Sequence, residues 1–123
     1  MERNTRQREA VRRALADKRS PMSAAEIHRA AARRVTGIGL ATVYRTLKSL
    51  LEAKEIVPVA LPGDTPRYEL ATLGHHHHFH CRSCGRVFEI EGCPRNLSRL
   101  APRGFAVDGH ELVLYGRCTG CAA

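Results

Sequence analysis

The chain contains 123 residues, enough for one ordinary domain or two very small ones, so any apolar core must be thin. Its 20 Lys and Arg residues outnumber 12 Asp and Glu residues, and the formal charge of +8 favours a polyanionic partner, most commonly nucleic acid, although membrane surfaces and acidic proteins attract the same charge. No run of about 18 apolar residues could cross a membrane and the first residues lack the apolar core of a signal peptide, so we expect a cytoplasmic protein with no membrane partner.

Two kinds of side chain divide the sequence into unlike halves. Twelve of the Lys and Arg residues precede residue 50, whereas six of the seven His residues and all five Cys residues follow residue 74. We therefore predict two modules of mixed α/β (α+β) fold class. They comprise residues 1–71 and residues 75–123 and are joined by a hinge at about residues 71–75.

The first module is predicted to open with three helices. The first covers residues 5–17, where apolar side chains fall on one face. The second begins at Ser23, because Ser23 and Glu26 can satisfy each other's backbone donors in a capping box. The third opens after Gly39, and its apolar residues recur at helical spacing as far as Leu51.

Two short β-prone runs follow the helices, at residues 56–61 and 66–70. A Pro-Gly-Asp sequence lies between them and favours a hairpin. Three helices followed by a hairpin is the element order of a winged helix-turn-helix.

The third helix carries the candidate DNA contacts. A helix that enters the major groove needs side chains that reach base edges and neighbours that hold phosphates. We assign base contacts only to Tyr44 and Arg45, because any single Arg is more often a solvated charge. Contacts that position the domain on the DNA are assigned to Thr42 and Lys48 of this helix. The same role is assigned to Arg3 and Arg6. These two arginines belong to a basic N-terminal arm that also contains Arg8, Arg12 and Arg13.

The second module is predicted to consist of short strands, at residues 79–81, 87–90 and 111–116. A brief helix is predicted to begin at Pro94, since Pro is favoured in a first helical turn, and to end at Pro102 and Gly104. These few elements leave little room for an apolar core, so a further constraint on the chain is expected.

Two Cys-x-x-Cys knuckles supply that constraint, Cys81 with Cys84 and Cys118 with Cys121. Together they predict a tetrahedral zinc site closed by four thiolates, which leaves no position for water and is structural. A redox pair or buried inert thiols would not explain two such knuckles in a reducing compartment. Cys93 is left over, and we interpret it as a free thiol beside a helix start.

Five His residues precede the first knuckle. In an extended segment His76, His78 and His80 would share one face, and His75 and His77 the other. Imidazoles with a carboxylate such as Glu69, Glu89 or Glu91 would form a mixed nitrogen and oxygen shell for a reversible divalent metal. The alternatives are a solvated linker and a purification tag, and the second is disfavoured in mid-chain. The isolated His28 is expected to be packed or half-exposed.

Three segments carry a resemblance to a known family. Residues 5–8 resemble the opening helix of the ferric uptake regulator family, residues 38–47 are similar to its recognition helix, and His76-x-His78-x-x-Cys81-x-x-Cys84-Gly85 resembles its metal motif. The resemblance implies a winged-helix DNA-binding domain and a small C-terminal α/β dimerisation domain. It also implies a homodimer that binds palindromic operators on double-stranded DNA and represses transcription when a regulatory metal is bound.

The same resemblance implies three ligand sets. The structural zinc ligands are Cys81, Cys84, Cys118 and Cys121; the regulatory ligands between the domains are Glu69, His76 and His78; and a further dimerisation-domain site takes His75, His77 and His110, with Glu89 as its candidate carboxylate. The implied cofactors are a structural zinc and a second divalent metal, which is iron, manganese or zinc.

Some positions differ from the family pattern. Pro21 or Met22 stands where members often have a His ahead of the second helix, so the regulatory shell lacks an expected ligand. The chain has no Cys near Ala71, which zinc sensors tend to have, and it has Glu89 where peroxide sensors tend to have Asp. These differences favour a sensor of iron or manganese and leave zinc open.

Other functions remain alternatives. Within the family they are a zinc-uptake regulator and a peroxide-responsive regulator. In another class, a His-rich metal storage or delivery protein would bind many ions and show no operator preference. An enzyme is not expected, because the sequence places no nucleophile or general base and its zinc site is closed.

Overall fold

The computed structural model describes residues 2–18, 20–73 and 75–122, with side chains described from residue 5 onward except at residue 73. The chain divides into two compact units, Met1–Gly74 and His75–Ala123. Within the described ranges, every helix is too short or too polar to cross a lipid bilayer.

Three helices build the core of the first unit. They are α1 (Glu2–Lys18), α2 (Ala24–Ala32) and α3 (Leu40–Glu52). Each helix repeats apolar residues on one face, and Val11 of α1, Ile27 of α2 and Leu47 of α3 are completely or almost completely buried in one shared cluster. All three predicted helices are present.

The start of α2 has the predicted capping box. The backbone N–H of Glu26 donates to Ser23 Oγ at 3.2 Å, and the backbone N–H of Ser23 donates to Glu26 Oε1 at 2.9 Å. Two helix-end donors that would otherwise lack a partner are thereby satisfied, which fixes where the helix begins.

A small sheet completes the first unit. Strand β1 (Met22–Ser23) pairs with β3 (Arg67–Leu70), which also pairs antiparallel with β2 (Ile56–Val59). The β2–β3 hairpin is the predicted wing, although its strands are shorter than predicted. Pro62 and Pro66 cannot donate to a strand ladder, so residues 60–66 form the connecting loop instead. The first unit is therefore a winged helix-turn-helix.

Arg67 connects the wing to the start of α2. Its side chain is 8% exposed, donates from Nη1 to Glu26 Oε1 at 2.8 Å and to Pro21 O at 3.2 Å, and pairs through Nε with Asp64. Because a buried guanidinium is costly without such partners, these bonds fix the base of the wing on the helices.

Glu55, which follows α3, binds two arginines of α1. Arg8 Nη2 donates to Glu55 Oε2 at 2.6 Å, and Arg12 donates to the other carboxylate oxygen. The hydrogen bond from Arg8, and then that from Arg12, lowers the pKa of Glu55 below its ordinary value of 4.5. Arg8 and Arg12 therefore join α1 to the turn that follows α3, and the basic arm stays a prediction.

The second unit contains one three-stranded sheet in the order β5–β4–β6. Strand β4 (His77–Cys81) lies in the middle, antiparallel to β5 (Val87–Ile90) and parallel to β6 (Val113–Gly116). A short helix, α4 (Thr119–Ala122), follows β6. All three predicted strands are present, with β4 starting two residues earlier and β6 two residues later than predicted.

The helix predicted at Pro94 is wrong. Residues 97–100 form only a 3-10 turn, Leu97–Leu100. Asn96 has a left-handed backbone, with φ of 67°, and this conformation interrupts an α-helix two residues after Pro94. Residues 91–112 consequently form a long connection with little regular structure.

Candidate metal centres and the basic helix

The four knuckle cysteines lie together at one end of the second sheet. Cys81 ends β4, Cys84 lies in the turn that follows, Cys118 lies after β6, and Cys121 belongs to α4. Their sulfur atoms all lie within 4.8 Å of one another, and the Sγ atoms of Cys84 and Cys118 are 3.8 Å apart. Thiolates around a tetrahedral zinc ion, with bonds of about 2.3 Å, would be about 3.8 Å apart.

Backbone and side-chain donors surround these sulfur atoms. The N–H groups of Cys84 and Cys118 each donate to Cys81 Sγ at 3.4 Å, and they lower the pKa of Cys81 to about 5. Arg86 Nε donates to Cys84 Sγ at 3.4 Å and lowers the pKa of the Cys84 thiol. Arg86 also donates to Cys118 Sγ, at 3.7 Å, a contact that only the position of Arg86 next to the knuckle could have indicated.

The fourth thiol, that of Cys121, is not stabilised as a thiolate by these donors. Ser83 favours ionisation of Cys121, but hydrogen bonds with Cys118 and Cys81, together with burial, raise the pKa of Cys121 to about 11. The protein's own donors thus stabilise some thiolates and not all four at neutral pH. A divalent cation supplies the missing positive charge, so the four-cysteine cluster is suited to a structural zinc.

A second cluster lies on one face of β4. His77 is 1% exposed, and its Nε2 lies 3.2 Å from His110 Nε2 and 3.2 Å from Cys93 Sγ. Cys93 Sγ is also 3.0 Å from His110 Nε2, and His75 completes the group. Burial, and then the neighbouring imidazoles, lowers the pKa of His77 and so favours its neutral, metal-binding form.

Two sequence-based assignments change here. The prediction that Cys93 lies beside a helix start is wrong, because among the described residues no α-helix begins there, and its sulfur lies 3.2 Å and 3.0 Å from two imidazole nitrogens. Glu89 does not belong to this cluster, because it pairs with His78 and shares the opposite face of β4. Cys93 takes the place where a carboxylate was expected, and only long-range folding brings it there.

The regulatory candidates are found in both units. His76 and His78 are half-buried, and their ring centroids are 4.8 Å apart. Glu69 is a buried residue of β3 in the first unit. His80, predicted on the face of His76 and His78, has its ring 5.9 Å from that of Tyr115 on β6. His28, on α2, is half-buried, and one of its ring nitrogens is 2.8 Å from Ile38 O.

The candidate DNA contacts lie along the exposed side of α3. Tyr44 is 54% exposed, Arg45 and Lys48 are exposed, and Thr42 is half-buried. Arg45 Nη2 donates to Thr42 Oγ1 at 3.0 Å, which limits the freedom of the guanidinium. Arg6 is exposed on α1, and the side chain of Arg3 lies outside the described part of the chain.

Comparison with known proteins identifies one family. Residues 2–115 match the sequence model of the Ferric uptake regulator family. The Ferric uptake regulation protein of Campylobacter jejuni is 39% identical over 87 residues, which are 68% of this chain and 55% of that protein. The Ferric uptake regulation protein of Bacillus subtilis is 36% identical over 124 residues, which are 95% of this chain and 83% of that protein.

A solved structure agrees with these matches. The Helicobacter pylori ferric uptake regulator Fur, described as having three functional metal binding sites, superposes with a TM-score of 0.75 at 25% identity, covering 95% of this chain and 80% of that chain. The chain spans little more than half of the C. jejuni relative but most of the B. subtilis one. With its winged helix and zinc-suited cysteines, the chain belongs to the ferric uptake regulator family.

Proposed function

We propose that this chain is a metal-dependent transcriptional repressor. As a homodimer, it binds palindromic operator DNA when a divalent metal occupies Glu69, His76 and His78. The observation that carries the proposal is the position of these ligands along the chain. Glu69 lies just before the boundary between the two compact units, and the two imidazoles lie just after it.

The ligand chemistry supports a reversible site. One carboxylate and two imidazoles suit iron, manganese and zinc, and such a shell releases its ion more readily than four thiolates do. Only six residues separate Glu69 from His76, so the linker cannot carry the carboxylate and the imidazoles more than about 25 Å apart. When they hold an ion, these residues restrict the motion of the linker between the units.

The first unit is suited to bind the operator. Its α3 presents an exposed aromatic ring and two exposed cations, Tyr44, Arg45 and Lys48, on the side away from the core. A guanidinium can form two hydrogen bonds to a guanine edge, while lysine side chains hold phosphates. The wing, fixed by Arg67, gives the domain a second surface along the DNA backbone.

The second unit is suited to form the homodimer. Among the described residues, five of the eight exposed large apolar side chains lie in this unit. Two of the five, Leu114 and Tyr115, belong to β6, an edge strand of the sheet with one side unpaired by any described strand. An apolar edge strand favours pairing with another chain, and a symmetric dimer covers it.

Metal and operator are coupled through the linker in this proposal. A dimer whose DNA-binding units are held at the angle that the operator requires binds more tightly than one whose units move freely. A coupling free energy of about 1 to 3 kcal/mol corresponds to an affinity change of about 5- to 150-fold. No larger conformational preference is needed for regulation.

The experiment is a mobility-shift titration with the promoter of the chain's own gene, with and without Fe²⁺, Mn²⁺ and Zn²⁺. The double variant His76→Ala/His78→Ala should lose the metal-dependent increase in operator affinity and retain its fold and one tightly bound zinc. The control His28→Gln, whose amide can still donate to Ile38 O, should respond to metal as the parent does.

Unchanged metal dependence in the double variant would contradict the proposal. A storage protein, the alternative from another class, is suggested by the two imidazole clusters on opposite faces of β4. It would bind several ions per chain and show equal affinity for the promoter and for unrelated DNA, so the same titration separates the two functions.

A further inference from the structure

Arg86 lies beside the four-cysteine site and donates to one sulfur atom of each knuckle. We propose that Arg86 is the charge-compensating residue of the structural zinc site, and that its guanidinium determines how tightly the site holds the ion. The proposal concerns the structural zinc alone. It does not depend on the regulatory role proposed for Glu69, His76 and His78, and its test does not require operator binding.

The contacts of Arg86 join two segments that are distant in sequence. Its Nε donates to Cys84 Sγ at 3.4 Å, and its Nη2 donates to Cys118 Sγ at 3.7 Å. These two sulfur atoms are 3.8 Å apart, although their residues lie 34 positions apart in the chain. A guanidinium carries its N–H groups in a rigid fork that can bind two acceptors at once. One side chain thus holds a sulfur of the first knuckle beside a sulfur of the second.

The main chain and an aromatic ring place the guanidinium. Arg86 O accepts the N–H of Cys81 at 2.9 Å, which fixes residue 86 next to the first knuckle. The guanidinium carbon lies 5.3 Å from the centre of the Phe88 ring, within the range of a cation–π interaction. A Cβ atom added at Gly120 would lie 3.9 Å from Arg86 Nη2, so the turn of the second knuckle also lies close to the guanidinium. These contacts restrict a side chain that is otherwise exposed.

The four-cysteine site carries an excess of negative charge when it holds zinc. Four thiolates exceed the charge of one Zn²⁺ ion by two units, and repulsion among the thiolates opposes binding. An arginine side chain is not deprotonated in proteins, so Arg86 offsets one of the two excess charges at any pH. Groups that hydrogen-bond to metal ligands typically change metal affinity by about 10- to 100-fold. We expect an effect of this size from Arg86.

Arg82 provides a matched control within the same knuckle. Its guanidinium carbon lies 4.5 Å from the centre of the Tyr115 ring, and its backbone N–H donates to Gly116 O at 2.8 Å. Among the described contacts, Arg82 makes none with a sulfur atom. Both arginines are exposed and carry the same charge. A general effect of positive charge near the site would therefore be shared by the two, whereas an effect of direct donation would belong to Arg86 alone.

The test compares Arg86→Met, Arg86→Lys and Arg82→Met in the full chain carrying Cys93→Ser, in which the knuckle cysteines are the only thiols. In competition with a chromophoric chelator, Arg86→Met should hold its structural zinc about 10- to 100-fold less tightly than the parent. Arg86→Lys keeps the charge but loses the fork that binds two sulfur atoms, so its affinity should lie between those two. Arg82→Met should hold zinc as tightly as the parent.

Cobalt gives a readout that a merely structural role would not change. With Co²⁺ in the four-cysteine site in place of zinc, the sulfur-to-cobalt charge-transfer absorption depends on the energy of the sulfur electrons. N–H donors stabilise these electrons, so Arg86→Met should move the absorption to longer wavelength, and Arg86→Lys should move it less. Arg82→Met should leave it in place. An unmoved absorption or a parental zinc affinity in Arg86→Met, or an equal loss of affinity in Arg82→Met, would each overturn the proposal.

Discussion

Cys81 shows how one residue can serve both the sheet and the zinc site. It is the last residue of β4, it is fully buried, and its sulfur accepts backbone N–H groups from both knuckles. Its N–H donates in turn to Arg86 O, and its carbonyl accepts from the N–H of Gly85, so backbone hydrogen bonds close the turn. Gly85 adopts a φ of +79°, a conformation that other residues rarely adopt and that the knuckle requires.

Metal ligands can be recognised from a sequence when they lie close together along the chain. Cys-x-x-Cys spacing is local, and the two knuckles were identifiable because each brings two sulfurs together within four residues. Cys93 has no such local partner, and it lies 16 positions after His77 in the chain. Its place in a cluster depends on strand pairing and on the path of the 91–112 connection, neither of which local pattern specifies.

Replacing Cys81 tests whether zinc holds the second unit together. We expect Cys81→Ser to lose the structural zinc and to unfold the second unit, because structural zinc contributes about 10 to 16 kcal/mol in small domains and few apolar residues are buried there. Metal analysis and amide NMR of residues 75–122 give the readout. Cys93→Ser is the matched control and should keep its zinc, whereas a folded Cys81→Ser unit without zinc would contradict the prediction.

At the scale of elements, local signals predicted the helices and their ends better than the connections. The Ser23 and Glu26 box fixed the start of α2, and the hairpin after α3 followed from its Pro-Gly-Asp turn. Pro94 gave an equally local signal, but the left-handed Asn96 overrode it. Strand β1 has only two residues, and its pairing with β3 is a long-range contact that sequence periodicity cannot show.

The ion pairs between α1 and Glu55 give an element-scale prediction with a defined pH dependence. The folded pKa of Glu55 is lowered by Arg8 first, so its contribution to stability is present above its ordinary pKa of 4.5. That contribution is lost as pH falls through the lowered folded value, since protonation then removes the charge. Glu55→Gln should therefore be less stable than the parent near neutral pH and equal to it in strong acid.

Thermal unfolding of both proteins from about pH 7 to about pH 3 measures this difference. The metal ligands titrate in both proteins alike, so the difference between the two curves isolates Glu55. The matched control is Glu52→Gln on α3, which removes one negative charge nearby and leaves the bonds of Arg8 and Arg12 to Glu55 in place. A Glu55→Gln curve that runs parallel to the parent at all pH values would refute the role assigned to the pair.

At the scale of the whole molecule, most of the formal charge of +8 lies on the helical unit, and all the candidate metal ligands except Glu69 lie on the sheet unit. This separation could be read from the sequence, because 12 of the 20 Lys and Arg residues precede residue 50, while six of the seven His residues and all five Cys residues follow residue 74. A division of this kind lets one unit respond to a polyanion and the other to a cation without competition for the same side chains.

The edge strand β6 is where dimerisation is most directly tested. Leu114 is 47% exposed on that strand, and a symmetric interface would place two copies of any charge introduced there close together. Leu114→Asp should raise the dissociation constant of the dimer by roughly 100-fold or more, because like charges in an interface cost several kcal/mol. Ser98→Asp, which introduces the same charge at an exposed polar position on the long connection, should leave the dimer intact. Sedimentation equilibrium measures both, and operator affinity should fall only in the Leu114 variant, since one arm alone contacts one half-site. Dimers of unchanged strength in Leu114→Asp would show that β6 does not form the interface.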